Sequence, residues 1–254
     1  ISATVLCALL IGPHSFTKAA TYKILIDPGH GSSANKRQYE GETELQTGLK
    51  LKSELEKKGY QVFMTRSSNG ASIGGAKNEN ADNIARANIA NSNNVDLAIR
   101  LHSDDRSDEQ FWALYPDVQG KDRTGASGPL SSKVIPESKK FAGILTSTMN
   151  KSGFSGITKG ENTYTAAGKG DILIFSAHSK VPVVTLELYG NKTTALRAKY
   201  ASSATQLKVA QTIAKAVDEY FGKTSETPQQ SQPGQAASSA SPKEKSPFCP
   251  PEAP

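Results

Sequence analysis

The sequence predicts an α/β fold in which a mostly parallel, twisted sheet is covered by helices on both faces. Three runs rich in Val, Ile and Leu, at residues 22–27, 95–101 and 182–187, are typical of strands buried on both faces. Segments with helical periodicity alternate with these runs, and such alternation favours parallel strands joined by helices. The 254 residues are 36% hydrophobic, which is enough to bury a full core. We therefore predict a single domain over residues 21–222.

The elements of the first half follow from periodicity and from turn residues. Leu45, Leu49, the stem of Lys52 and Leu55 recur at helical spacing, and Gly59 marks the end of this helix. The segment after the second strand is polar and rich in Gly, which is typical of a surface loop. In order we predict strand 22–27, helix 43–58, strand 60–65, loop 67–79, helix 80–91 and strand 95–101.

The second half continues the alternation after one long interruption. Residues 117–137 contain Gly, Pro, Ser and charged residues without a period, so we predict a long loop there. The apolar run that ends at Glu187 is the last predicted strand of the sheet, and a long helix closes the domain. In order we predict strand 111–115, this loop, helix 138–150, a short strand or extended segment at 171–175, strand 182–187 and helix 193–221.

Both ends of the chain differ in composition from the domain. Residues 1–20 combine a short apolar core with small residues near Ala19 and Ala20, which is the pattern of a secretory signal and too short for a membrane span. We interpret them as the remnant of such a signal. Residues 223–254 are rich in Pro, Ser and Gln, and their few apolar side chains cannot offset the entropy of ordering. We predict a disordered tail there.

The charge balance narrows the choice of partners. The formal net charge of +6 favours an anionic partner, such as nucleic acid, a membrane surface or an acidic wall polymer. Dense Lys/Arg runs interleaved with aromatic residues are missing from the sequence, which argues against a nucleic-acid platform. Outside the amino-terminal segment no apolar run approaches a transmembrane length, so we expect no stable insertion into a membrane.

Three residues that can bind or serve a metal lie at the ends of predicted strands. His30, His102 and Glu187 would converge on one crevice if those strands run parallel, because ligands of such sheets bind beyond the carboxyl ends. Catalytic zinc sites use three protein ligands of the His, Glu or Cys type and leave one position open for water. We infer a zinc site that includes both histidines. Its third ligand has to come from the carboxylates before the first helix, Glu40, Glu42 or Glu44.

Structural interpretations compete with this one. A lone histidine at a strand end is often a hydrogen-bonded structural residue, and carboxylates before a helix stabilise its positive end. Asp27 can orient a ligand or bond to the following turn, and both possibilities stay open. His178 lies in a polar turn and is predicted to be a surface residue. Arg66 and Arg86 are predicted to form structural ion pairs rather than to bind substrate.

The order and spacing of several motifs resemble one enzyme family. The three motifs are Ile24-Leu25-Ile26-Asp27-Pro28-Gly29-His30-Gly31, Asp96-Leu97-Ala98-Ile99-Arg100-Leu101-His102 and Pro182-Val183-Val184-Thr185-Leu186-Glu187. Between the first and the second motif lie an acidic segment, a predicted helix that stops at Gly59, and Thr65-Arg66. Over residues 22–221 the chain is similar to the zinc-dependent N-acetylmuramoyl-L-alanine amidases of the third amidase family.

The resemblance implies a site and a reaction. It implies one Zn²⁺ held by His30, Glu40 and His102, with Glu187 in catalysis and Glu44 as the alternative third ligand. The implied reaction is hydrolysis of the amide between N-acetylmuramic acid and L-alanine in peptidoglycan. We expect a secreted, monomeric enzyme that acts in the periplasm or cell wall. Two other hypotheses are a zinc peptidase acting on the stem peptide and a non-catalytic peptidoglycan-binding module.

Overall fold

The computed structural model describes residues 21–35, 38–165 and 170–223. The predicted signal remnant at 1–20 and the predicted tail beyond Lys223 lie outside the described residues. The strands are β1 (Lys23–Pro28), β2 (Gln61–Met64), β3 (Leu97–Asp104), β4 (Phe111–Tyr115), β5 (Gly120–Lys121), β6 (Ser127–Gly128), β7 (Gly156–Gly160) and β8 (Val183–Gly190). The helices are α1 (Gln38–Lys57), α2 (Glu79–Ser92), α3 (Val134–Lys151), α4 (Glu161–Thr165), α5 (Ile174–Ala177), α6 (Thr194–Ala201) and α7 (Ser203–Phe221).

Six strands form a mixed, mostly parallel sheet in the order β2-β1-β3-β8-β4-β7. The pairs of β1 with β2, β1 with β3, β3 with β8 and β4 with β7 are parallel, whereas β4 runs antiparallel to β8. The carboxyl ends of β1, β3 and β8 therefore lie at one edge of the sheet. The predicted α/β fold is confirmed.

Two apolar cores lie on the two faces of the sheet, because successive side chains of a strand point to opposite faces. Ile24 and Ile26 belong to the larger core, which the apolar faces of α1, α3 and α7 cover. Leu25 belongs to the smaller core, which includes Ala87 of α2 and Phe175 of α5. A strand covered on both sides reads as a continuous apolar run, and this is why β1, β3 and β8 could be recognised.

Several predicted boundaries differ from those of the structure. Helix α1 begins at Gln38 rather than at residue 43, which places Glu40 in its first turn. Residues 171–175, predicted as a short strand or an extended segment, contain no strand, and the short helix Ile174–Ala177 begins within them. The edge strand β7 was not predicted, because Gly156-Ile157-Thr158-Lys159-Gly160 has too few apolar residues to show a period.

The carboxyl-terminal half contains two further differences. Helix α3 begins at Val134, inside the predicted loop, and β5 and β6 form a small antiparallel pair within that loop. The predicted closing helix is divided into α6 and α7 at Ser202, whose side chain accepts from the backbone N–H of Thr205 and so caps α7. Over the described ranges no helix has both the length and the apolar character needed to cross a membrane.

Candidate metal centre

The first candidate ligand lies on a tight turn directly after β1. His30 has a positive φ of 49° and Gly31 follows with a φ of 68°, a region that few side chains adopt. Gly29 packs against the imidazole of His102, and its N–H donates to the carbonyl of Leu101 at 2.8 Å. The turn is therefore bound to β3 at the point where the second candidate ligand lies.

Two buried arginines hold the carbonyl groups of this turn. Arg66 donates through Nε to the carbonyl of Pro28 at 2.9 Å and through Nη2 to that of Gly29 at 2.8 Å. Arg86 donates through Nη2 to the carbonyl of His30 at 3.0 Å and through Nη1 to that of Pro28 at 2.7 Å. Both guanidinium groups bind the backbone of the turn. Arg86 also forms the predicted kind of ion pair, with Asp27 and Asp82.

Asp27 anchors this arrangement in the sheet and does not contact the ring of either histidine by a hydrogen bond. Its Oδ1 accepts from Thr65 Oγ1 at 2.6 Å and from Arg86 Nη1 at 2.7 Å, and its Oδ2 accepts from Arg100 Nε at 2.8 Å. Burial alone would raise the pKa of Asp27, but the two guanidinium groups outweigh burial and hold the pKa well below its usual range. Asp27 is therefore a structural anion.

The three expected ligands meet around one point. His30 Nε2 lies 2.9 Å from Glu40 Oε1, and His102 Nδ1 lies 3.2 Å from the same oxygen. One ligand atom from each residue lies within 4.8 Å of those of the other two. In a tetrahedral zinc site with bonds of about 2.0–2.1 Å, the ligand atoms are about 3.3–3.4 Å apart. The observed separations are close to this spacing.

The hydrogen bonds around the histidines orient the rings for a cation. His30 Nδ1 lies 2.7 Å from Oδ1 of Asn35, which can only accept, so the proton is on Nδ1. The lone pair of His30 Nε2 then faces a carboxylate oxygen of Glu40, and two acceptors at that distance repel unless a proton or a metal ion lies between them. Burial lowers the pKa of His102 to about 4, so this imidazole is neutral at pH 7, as a metal ligand must be. The residues therefore fit a divalent metal.

The other two carboxylates considered as third ligand lie elsewhere. Glu42 is exposed and accepts from Gln46 Nε2 at 2.9 Å and from Asn69. Glu44 is fully buried but is not one of the three clustered residues. Burial raises the pKa of Glu44 well above its ordinary value, and the neighbouring carboxylate of Glu40 raises it further. The positions of the side chains therefore favour Glu40 over Glu42 and Glu44 as the third ligand, a choice that the spacing in the sequence could not make.

The expected catalytic carboxylate lies beside the cluster. Glu187 of β8 is the register partner of His102 on β3, so the two side chains project from the same face of the sheet. Its Oε2 is buried and has no hydrogen-bond partner within the described part of the chain. Burial raises the pKa of Glu187 well above its ordinary value, and Glu40 and Asp104 add to this effect. A carboxyl group whose pKa is raised in this way is suited to take up and release a proton as a general base and acid.

A cavity of about 300 Å³ opens over the cluster and Glu187. Its walls include residues that the sequence analysis did not single out, among them Tyr164 and the segment Ile172–Ile174. Arg100 also lines the cavity; it precedes His102 by two positions on β3, so the period of the strand could have placed it on the same face. His178 lies outside the cluster and approaches Asp122 at 3.5 Å.

One wall of the cavity is held by a buried carboxyl group that lies outside the cluster. Glu161 accepts from the backbone N–H of Leu173 at 2.9 Å and from Ser176 Oγ at 2.7 Å, and so joins α4 to α5. Its side chain is fully buried, and burial raises its pKa from 4.5 to about 7.

We expect Glu161→Gln to reduce the dependence of stability on pH. The carboxyl group binds a proton more readily in the folded chain, so its stabilising contribution is complete below pH 4.5 and is lost as the pH rises through about 7. The stabilisation that is lost between these two pH values amounts to about 3 kcal/mol as an upper bound. Urea unfolding at pH 5 and pH 8 should show a smaller difference for the variant than for the wild type. Glu56→Gln, at an exposed carboxylate, is the control; equal pH dependence in all three proteins would contradict the assignment.

Comparison with known proteins gives a family and a fold. The family model for N-acetylmuramoyl-L-alanine amidases matches residues 24–219. The solved N-acetylmuramoyl-L-alanine amidase of Clostridium difficile 630 is 20% identical, with a TM-score of 0.57 over 82% of this chain and 99% of that one. The amidase Ami1 of Mycobacterium smegmatis is 18% identical, with a TM-score of 0.59 over 81% and 99%. The CwlD amidase of Clostridioides difficile, solved with the GerS lipoprotein, is 14% identical, with a TM-score of 0.60 over 80% and 99%. No curated protein matches significantly.

Proposed function

The chain belongs to the N-acetylmuramoyl-L-alanine amidase family, and we propose that it is a zinc hydrolase that cleaves the amide between N-acetylmuramic acid and L-alanine in peptidoglycan. The observation that carries the zinc proposal is the approach of two imidazole nitrogens, from His30 and His102, to one oxygen of Glu40. All three residues and Glu187 lie within the matched range.

In this proposal His30, Glu40 and His102 hold the zinc ion. Zinc bound there would lower the pKa of a water molecule and polarise the scissile carbonyl group. Asn35 keeps the proton of His30 on Nδ1 and leaves Nε2 free to bind. The backbone N–H of Ser103 donates to Glu40 Oε1 at 3.2 Å and fixes the position of the carboxylate.

Glu187 has the role of the general base and acid. It takes a proton from the attacking water as the new carbon–oxygen bond forms at the scissile carbonyl group. It then gives this proton to the nitrogen of L-alanine, so that the carbon–nitrogen bond breaks and the stem peptide leaves with a free amino terminus. The burial of Glu187 supports this role, because a carboxyl group that is shielded from water binds a proton more readily.

We also propose that the enzyme acts outside the cytoplasm as a monomer. Residues 1–20 have the pattern of a secretory signal, and the net charge of +6 suits the anionic polymers of the cell wall. The similar CwlD amidase was solved in complex with a lipoprotein. Light scattering of the purified chain measures its oligomeric state in the absence of any partner. A stable dimer would contradict the monomer.

Digestion of purified sacculi tests the proposed function. The protein is freed of metal with a chelator, dialysed, and assayed before and after addition of one equivalent of zinc. We expect about one zinc per chain, activity only in the zinc-loaded sample, and released stem peptides that begin with L-alanine, identified by mass spectrometry. Trimmed peptides that stay linked to the sugar would indicate a peptidase instead. Binding to sacculi without release by the zinc-loaded protein would indicate a binding module.

A further inference from the structure

The face of the sheet that carries the metal centre extends past Glu187 to the edge strand. His102 is in register with Glu187, Glu187 with Trp112 of β4, and Trp112 with Ile157 of β7. Residues in register on neighbouring strands project from the same face. Ile157, at the outer end of this row, has 43% of its surface exposed. A row of side chains thus leads from the candidate metal centre to an open surface.

Lys159 lies on this face, and aromatic rings hold its charge in place. It follows Ile157 by two positions on β7, so both side chains are on the same side of the strand. Its Nζ lies 4.3 Å from the ring centroid of Trp112 and 5.8 Å from that of Tyr164. The two rings meet edge to face with centroids 6.1 Å apart. These contacts fix the position of the ammonium group beside Tyr164, whose side chain lines the cavity.

The charge of Lys159 is not neutralised locally. In the described ranges no carboxylate oxygen lies within 4 Å of its Nζ, and its interactions are those with the two rings. Arg106 offers a direct contrast, because it also lies over Trp112, at 3.8 Å, but forms ion pairs with Asp104 and Asp108. Of these two cations, therefore, Lys159 is the one that remains available to an external anion.

The distance from Glu187 to Lys159 indicates which part of a bound substrate can reach Lys159. Lys159 pairs with Leu114, which pairs with Thr185, so its backbone lies two strand spacings across the sheet and two residues along it from Glu187, about 12 Å away. Its side chain lies over Trp112 on the intervening strand, which shortens the path to the ammonium group. An extended peptide advances about 3.3–3.6 Å per residue, so two or three residues cover this path. Tyr164 lines the cavity and its ring centroid lies 5.8 Å from Lys159 Nζ, so a peptide that leaves the cavity past Tyr164 comes close to the ammonium group.

We propose that Lys159, Trp112 and Tyr164 form a subsite for a free carboxylate of the stem peptide, two or three residues beyond the scissile amide. This inference rests on the proposed function, because it takes the substrate to be a muramoyl peptide. Lys159 supplies the charge, and the two rings hold its ammonium group beside Tyr164, which lines the cavity. The enzyme should therefore distinguish peptides with free carboxylates from peptides whose carboxylates are amidated.

Two soluble muramoyl tripeptides that differ only in amidation test the subsite. We expect the wild type to prefer the free acid by about 5- to 10-fold in kcat/KM, mainly through KM. Lys159→Met removes the charge but keeps an apolar stem against Trp112, and its preference should fall to about 1. Lys159→Arg should restore the preference. Lys208→Met is the matched control, because Lys208 lies 5.0 Å over the ring of Phe154 on the exposed side of α7; its preference should equal that of the wild type.

The outcomes separate the subsite from the proposed function. Cleavage of both peptides without a preference by the wild type would overturn the subsite and leave the amidase activity in place. Equal losses on both peptides in Lys159→Met, with the preference retained, would also overturn it and assign Lys159 to the fold. Absence of cleavage of either peptide by the zinc-loaded wild type would overturn the proposed function, and the subsite with it. Peptides amidated at the second or the third residue alone identify the carboxylate that is bound.

Discussion

Glu187→Gln is expected to lower kcat by about 10²- to 10⁴-fold while the protein keeps its metal. The amide of Gln has nearly the shape of the carboxyl group but can neither take a proton from water nor deliver one to the leaving amine. Glu187 itself is buried beside the three clustered residues and is not one of them, so the metal site should be unaffected by its replacement.

This result is measured with purified sacculi and with zinc analysis of the same samples. Glu219→Gln serves as the control, because Glu219 lies on α7, where it accepts from Thr148 Oγ1 at 2.8 Å. The control should have the activity of the wild type. Full activity of Glu187→Gln would remove Glu187 from the mechanism, and loss of zinc along with activity would make it a ligand rather than a base.

Gly29→Ala is expected to abolish activity for a steric reason, through loss of the metal. A Cβ at this position would lie 2.5–2.7 Å from three atoms of the His102 ring, a separation that real contacts do not reach. The imidazole would have to swing away, and Nδ1 would then leave its position 3.2 Å from Glu40 Oε1. We expect zinc affinity to fall by at least about 10²-fold, because one of three ligands no longer reaches the ion.

Competition with a fluorescent chelator measures the zinc affinity of this variant. The matched control is Gly143→Ala in α3, where an added Cβ meets no atom within 4 Å. That control should bind zinc as the wild type does and gain up to about 1 kcal/mol of stability, because Ala is preferred to Gly inside a helix. Wild-type zinc affinity in Gly29→Ala would mean that His102 does not bind the metal in this orientation.

The sequence was sufficient for the strands that carry the site, because each is buried on both faces and ends in a chemically distinctive residue. His30, His102 and Glu187 could therefore be expected to converge. The third ligand could not be chosen from spacing alone. In α1 each residue turns by about 100°, so Glu40 and Glu44 share a face while Glu42 points away. Glu40 and Glu44 are both buried, and the packing of the helix decides which of the two reaches the histidines.

Contacts between distant segments explain what the sequence did not reveal. Strand β4 lies between β8, to which it is antiparallel, and β7, to which it is parallel. These two pairings bring Trp112 next to Glu187 and Lys159 next to Trp112. The local sequence predicts neither pairing, because β7 is a short edge strand with Gly at both ends. Asn35 lies in an irregular polar segment, and its contact with His30 follows from the shape of the turn.

The two guanidinium groups on the turn after β1 have a consequence for how the protein acquires its ion. Both side chains are cationic at neutral pH, and Arg66 and Arg86 come from the end of β2 and from α2 rather than from the turn itself. Folding alone therefore sets the unusual backbone of His30, before any ion arrives. A metal ion therefore binds to a site whose backbone is already in place, and little chain entropy is lost on binding. For the same reason, removal of the ion should leave the rest of the protein folded.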